Sequence, residues 1–394
     1  MGSPLSRLVA AAAAVPLAAG VASAQIAVSS NDNKVALVNG VVKVVPNPPP
    51  DTATILDLSS SPPRVVAELE VPGSVTGPPF SVALTPDESL ALVTAAMKVD
   101  PADPAKQIPD DRLSVVDLKA RPPAVVATLP TGKGPSGVSI NRQGTLALVA
   151  NRAGGSVSVF TIQGKTVAAA GTVQLGDEKA GVSHVAISPD GTLALATRDG
   201  DDRISVLSID GSTVAYTKRD LSAGLRPYGV DISADGSVAV VANIGRGGGD
   251  ADTVSVIDLK AKPPRVVETV TVGQTPEGLK ISPDGKLVGV AVMNGSNKPK
   301  DSPFYDEHGK LVLFQLAGTS LRKLAEAPIG HWSQGVLFTP DNRTVLVCNM
   351  VEKDLQVFRL EGAKLRPAGT VKVNGGPVAV RLADKPVVAA SRRR

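Results

Sequence analysis

The chain repeats one pattern: a short apolar run, a tight polar break, and a second apolar run. At 187–200, ISPDGTLALATRDG alternates apolar and polar positions, breaks at Pro189-Asp190-Gly191 and alternates again. A period of two predicts strands, and an Asp-Gly break between them predicts a hairpin turn. The phrase returns as SSNDNKVALVNG from Ser29, LTPDESLALVTA from Leu84 and INRQGTLALVAN from Ile140. It returns again as ISADGSVAVVAN from Ile232, ISPDGKLVGVAV from Ile281 and FTPDNRTVLVCN from Phe338, seven copies in all. Turn to turn, the copies are spaced by roughly 45 to 57 residues.

Each copy is followed by two more strand-like runs. The third run reads TATILDL (52–58), RLSVVDL (112–118), SVSVFTI (156–162) and TVSVIDL (253–259). The fourth reads RVVAELEV (64–71), RVVETVTV (265–272) and AGTVKV (368–373), with Pro-Pro or Gly at the turn between the two. Four antiparallel strands per radially repeated unit predict an all-β fold, a seven-bladed β-propeller. A solenoid is the alternative, disfavoured by four strands per repeat and no helical period. The tail GPVAVRLADKPVVAA (376–390) reads as the first two strands of a further copy. It completes the blade begun at Gln25 and closes the ring, or else starts an incomplete eighth blade.

Composition narrows the picture. The chain of 394 residues is 43% hydrophobic and only 3% aromatic, so its core is built from Val, Ala, Leu and Ile, which favours strands. With 41 Lys+Arg against 37 Asp+Glu the net charge is +4 and the signs are interspersed, which gives no strong nucleic-acid signal. The lone cysteine, Cys348, excludes an internal disulfide and any multi-cysteine metal or haem site. Arg7, the apolar run 8–21 and Ala22-Ser23-Ala24 predict a secretory signal peptide over 1–24. The expectation is therefore an exported chain, periplasmic or secreted. A single propeller domain spans 25–391, with a basic tail at 392–394 and no membrane association after cleavage.

The runs LALVANR (146–152) and VAVVANI (238–244), each followed by VSVFTI or VSVIDL, resemble the YVTN-repeat seven-bladed propellers. That group overlaps with bacterial lactonase-like propellers of the phosphogluconolactonase type. The resemblance covers essentially 25–390 and implies the fold, with lactone hydrolysis as a reaction class to test. It carries over no catalytic residue, because the shared residues are turn and core residues.

If strands are lettered A to D from the ring centre outward, A–B and C–D turns fall on one face and B–C and D–A connections on the other. The Asp residues of the Pro-Asp-Gly phrases (Asp190, Asp235, Asp284) are read as turn residues, not acids for catalysis. The long connections 95–112, 243–252 and 293–309 fall on the second face, where sites usually sit. Most blades carry small residues where the chain enters strand A or leaves strand B. The exceptions are His184, Arg226, Tyr228, Glu277, His331 and Trp332. Rotational symmetry converges such positions on one axis.

The expected site is a polar funnel. His331, Glu277 and His184 are the candidate catalytic acid–base groups. Arg152, Arg198 and Arg226 would hold an anionic group, Tyr228 or Trp332 would give a stacking wall, and Asn243 and Asn349 would add polar contacts. The alternative is that these side chains plug and solvate the channel mouth. No metal and no cofactor is expected. The carboxylates of Arg198-Asp-Gly-Asp-Asp lack the length of a calcium loop, and GRGGGD (245–250) precedes no helix. Cys348 is read as a small buried apolar residue.

Two functions remain. One is a metal-independent hydrolase or isomerase of a small anionic lactone or related ring. The other is a non-enzymatic scaffold for a protein, a cell-wall fragment or a polyanion. An oxidoreductase is handicapped by three histidines and one cysteine. A monomer is expected.

Overall fold

The computed structural model describes residues 25–385 and is a seven-bladed β-propeller of four-stranded antiparallel sheets. Blades 2 to 7 follow the chain, at 82–130, 135–174, 182–221, 227–273, 276–329 and 333–372. Blade 1 is closed by the two ends of the chain. Gly376–Leu382 is its inner strand A, Ile26–Asp32 its B, Thr52–Asp57 its C and Arg64–Glu70 its D. The predicted signal peptide and basic tail lie outside the described residues.

Two expectations need correction, the first in blade 1 and the second in blade 2. Ser29-Ser30-Asn31-Asp32 is not an inner hairpin turn but the end of strand B. The VALV that follows forms a separate two-stranded hairpin, Val35–Val38 with Val41–Val44, in the B–C connection. Among the described residues the carboxyl-terminal segment supplies one strand, Gly376–Leu382; the second strand expected there falls on 386–390, outside the described residues. The second concerns the long connection 95–112, in which the repeat pattern predicts no strand. It holds a hairpin too, Met97–Asp100 with Asp103–Pro109.

The second strands depart from simple apolar–polar alternation. In blade 5, Val238–Asn243 is buried along its whole length. Val238, Val240 and Ala242 face the core shared with blade 6, while Ala239 and Val241 face the core shared with blade 4. A strand sandwiched between two blades buries both pleated faces, so its alternate side chains feed different cores. This explains a core made of Val, Leu, Ile and Ala.

The Asp residues of the turns behave as read. Asp190 accepts from Ser188 Oγ at 2.5 Å and from Thr192 N–H at 3.1 Å; Asp235 and Asp284 repeat both contacts. Gly191, Gly236 and Gly285 follow at φ of +73°, +66° and +73°, a left-handed turn that glycine adopts without steric cost.

Strand A carries a second regularity. In blades 1 and 3 to 7 its pairing with strand B slips by one residue near the strand's start. In blade 5 Pro227 pairs with Asn243 and Val230 with Val241, leaving an extra residue between. Such a bulge releases a side chain from the ladder and re-aims it. The bulged positions include Ser136, Ser183, Tyr228, Glu277 and Gln334.

Candidate functional site

At the connection-side mouth the chain places opposite charges in one slot of adjacent blades. Arg152 follows strand B of blade 3, and Asp199 follows strand B of blade 4. Arg152 Nη1 and Nη2 clamp the Asp199 carboxylate at 2.6 and 2.8 Å. Arg226, entering blade 5, donates Nη2 to Asp199 Oδ2 at 2.7 Å, and Ser183 Oγ donates to Oδ1 at 2.5 Å. Asp199 is 1% exposed, whereas Arg152 and Arg226 keep 25% and 34% of their side chains in solvent. Burial pushes the Asp199 carboxyl up, but the two guanidinium charges and these hydrogen bonds outweigh it, so its pKa lies below the ordinary value. Two cations share one carboxylate, which leaves a net positive rim.

Beneath the rim sit Tyr228 and Glu277. The Arg152 guanidinium lies 5.6 Å from the Tyr228 ring centroid. Glu277 Oε2 is buried and has no hydrogen-bond partner among the described residues, and the same holds for Gln334 Oε1 one blade on. Burial drives the Glu277 pKa up to about 8, against the opposing pull of Arg226 and Arg152. Burial, reinforced by the Glu277 charge, raises the Tyr228 phenol as well, so its proton stays on near neutral pH. A cleft of about 280 Å³ meets this cluster at Arg152 and is otherwise lined by residues that include Met97, Gly134, Glu178, Lys179 and Gly181.

The other expected site residues lie elsewhere. His184 stacks on Phe80 with ring centroids 3.9 Å apart, and both are buried. A Cβ added at Gly137 would come within 2.4 Å of the His184 ring, and one at Gly229 within 2.6 Å of Phe80. The two rings therefore fill the throat of the channel. Burial and the nearby Arg381 and Lys280 charges hold the His184 pKa well below its ordinary value. Those two cations belong to the turn-side half of the channel, opposite Glu277.

His331 is engaged at the rim of blades 6 and 7. Its Nδ1 lies 2.6 Å from Glu352 Oε1, its Nε2 3.8 Å from Glu307, and its ring centroid 6.4 Å from that of His308. Trp332 is buried with Val35, Met293 and Met350, and borders a separate cleft of about 190 Å³ under the first hairpin. The expected trio of Glu277, His331 and His184 is thus distributed over three environments.

Asn243, Asn349 and Arg198 occupy a bracket at the end of strand B. Asn243 Nδ2 donates to Thr253 and Ser255 at 3.0 Å each, and Asn349 Nδ2 donates to Asp354 at 3.0 Å and Gln356 at 3.2 Å. Asn151 and Asn31 make the same link to their own C strands. Arg198 replaces the asparagine in blade 4, reaching Ser205 and pairing with Asp201 and Asp220. These side chains turn outward into their blades instead of lining the mouth. The glycine facing each bracket (Gly132, Gly224 or Gly330) makes room, since a Cβ there would lie 2.6–2.7 Å from the asparagine Cγ.

Sequence reasoning missed Asp199 as the hub. The available signal was opposite charges, Arg152 and Asp199, in matching slots of neighbouring blades. Cys348 is buried as expected, and burial raises its thiol pKa.

Comparison with known proteins agrees with this architecture. The family described as "Lactonase, 7-bladed beta-propeller" matches residues 110–229, less than a third of the chain. No curated protein matches. Among solved structures, a putative 6-phosphogluconolactonase from Bacteroides uniformis is 18% identical with a TM-score of 0.68, over 91% of this chain and 99% of its own. The periplasmic gluconolactonase of Pseudomonas aeruginosa is 20% identical with a TM-score of 0.65, over 92% and 99%. The hydrazine synthase of Kuenenia stuttgartiensis also superimposes, at 19% identity and a TM-score of 0.61, over 79% and 91%. The likeness is one of fold. Proteins as different as a gluconolactonase and a hydrazine synthase share it, so chemistry must be argued from side chains.

Proposed function

We propose that the protein is an exported, metal-independent lactonase that opens a small anionic lactone at the connection-side mouth. The observation that carries this reading is Glu277: a buried carboxyl with an unpartnered oxygen and a pKa near 8, beneath two guanidinium groups. The matching lactonase family segment and the lactonase names of two structural neighbours favour the same reaction class.

In this mechanism Arg152 and Arg226 hold the substrate's phosphate or carboxylate with the parts of their guanidinium groups that stay open to solvent beyond the Asp199 clamp. The Glu277 carboxylate takes a proton from water as the water oxygen attacks the lactone carbonyl carbon. The protonated Tyr228 hydroxyl donates to the developing oxyanion. The ring C–O bond then breaks, and Glu277 returns the proton to the leaving oxygen, giving a hydroxy acid.

The test is turnover of glucono-1,5-lactone and its 6-phosphate by purified 25–394, corrected for spontaneous hydrolysis. Turnover should rise with pH through about 8 as Glu277 ionises, and Glu277→Gln should abolish it. Equal turnover in the Glu277→Gln variant refutes the reading. The scaffold alternative has one observation behind it. The cross-strand pair Val38 and Val41 stands at 46% and 53% exposure on one face of the first hairpin. Inertness toward both lactones would favour it.

A further inference from the structure

The opposite mouth of the channel is also built. Where the A–B turns converge, a cavity of about 320 Å³ has an apolar wall that includes Ile281, Pro283, Phe338, Pro340 and Leu382. It shares Arg142, Asp231 and Asp384 with a smaller cavity of about 40 Å³, which runs inward to His184 and Arg381. The Phe80–His184 stack closes its inner end and separates it from Glu277.

The charges here are unevenly matched. Lys280, with 11% of its side chain exposed, binds Asp231 at 3.0 Å and Asp384 at 3.4 Å. Asp231 also accepts from Ile281 N–H at 2.8 Å, and Glu88 is paired with Lys385 at 2.8 Å. All three carboxylates are thus engaged. The guanidinium groups make no direct ion pair, although, against the cost of burial, both stand near enough to Asp384 to help Lys280 hold its carboxyl below the ordinary pKa. Arg142 donates to the Ala234 carbonyl at 2.8 Å, and Arg381 stands over the Phe80 ring at 4.6 Å. Among the described residues neither has a carboxylate within ion-pairing distance. His184 Nδ1 accepts from Val230 N–H at 3.3 Å, which leaves its proton on Nε2 as a further donor.

We infer that this turn-side mouth is a second ligand site, for a small carboxylate with an apolar body. The surplus donors, Arg142, Arg381 and the His184 N–H, select an anion. The apolar wall selects one with a hydrophobic skeleton. No reaction is required of it, and it is independent of the lactonase reading.

Benzoate is a suitable probe, with inorganic phosphate as the anion that lacks an apolar body. Calorimetric titration should give saturable benzoate binding that Arg142→Gln weakens by about tenfold or more, the cost of one charge-assisted hydrogen bond. Arg152→Gln, at the other mouth, should leave it unchanged. In proton NMR the three imidazoles are separable by elimination with His308→Gln and His331→Gln. Benzoate should move the His184 resonance and leave that of His331 in place. This readout needs no substitution inside the channel. Absence of saturable binding, loss of binding in Arg152→Gln, a static His184 resonance, or phosphate moving the His184 resonance as effectively as benzoate would each overturn the proposal.

Discussion

A glutamate pKa raised by burial must appear as pH-dependent stability, and Glu277→Gln isolates it. In the unfolded chain this carboxyl titrates near 4.5, and in the fold near 8. Between those values the folded protein holds a proton that the unfolded chain has lost. Stability is therefore fully retained below about pH 4.5, falls as pH rises through that window, and levels off above about 8. A pKa that climbs from 4.5 to about 8 corresponds to about 5 kcal/mol at 1.36 kcal/mol per pH unit. That is a large share of the 5–15 kcal/mol typical of a folded domain. Glutamine keeps the shape and the hydrogen-bonding capacity but does not ionise. Urea denaturation of wild type and Glu277→Gln between about pH 5 and pH 9 should give two curves that separate progressively, wild type losing the several kcal/mol that the variant keeps. Parallel curves would mean that Glu277 is solvated in the fold. The argument for a buried base beneath the arginines would then fail.

Three other outcomes are expected. Asp199→Ala leaves Arg152 and Arg226 facing each other without their shared carboxylate and should cost about 3–5 kcal/mol in chemical denaturation, as breaking a buried pair does. Asn349→Ala removes the bracket to Asp354 and Gln356 and should cost about 1–3 kcal/mol, with no change in lactone turnover; a loss of turnover at full stability would place Asn349 in the site. Gly137→Ala drives a Cβ to 2.4 Å from the His184 ring and 2.8 Å from its Cα and should lower stability by about 1–3 kcal/mol, with the ring's share of the loss relieved in a Gly137→Ala, His184→Ala double variant.

The repeat determined the fold before any contact was known. A period of two, an Asp-Gly break and two further runs per unit specify four-stranded blades, because each local choice is made by short-range backbone chemistry repeated along the chain. The ring closure was legible for the same reason, since 376–382 repeats the inner-strand pattern. Its partner was misread: Asn31-Asp32-Asn33 looks like a turn, and only pairing with Gly376–Leu382 makes it the end of strand B. Slots around the axis were also legible by counting from the repeats, which is how Arg152, Arg226, Tyr228 and Glu277 were found together.

Tertiary structure decided which way each slot faces. Asn243, Asn349 and Arg198 share a slot whose side chains turn outward to the next strand, whereas one residue on, Arg152 and Asp199 turn to the mouth. A single-residue step reverses a strand's side-chain direction, and the bulge at strand A reverses it again, so sequence position alone fixes the ring but not the face. The same limit hid the far mouth. Arg142, Lys280 and Arg381 come from three separate blades and approach one another only when the ring has closed.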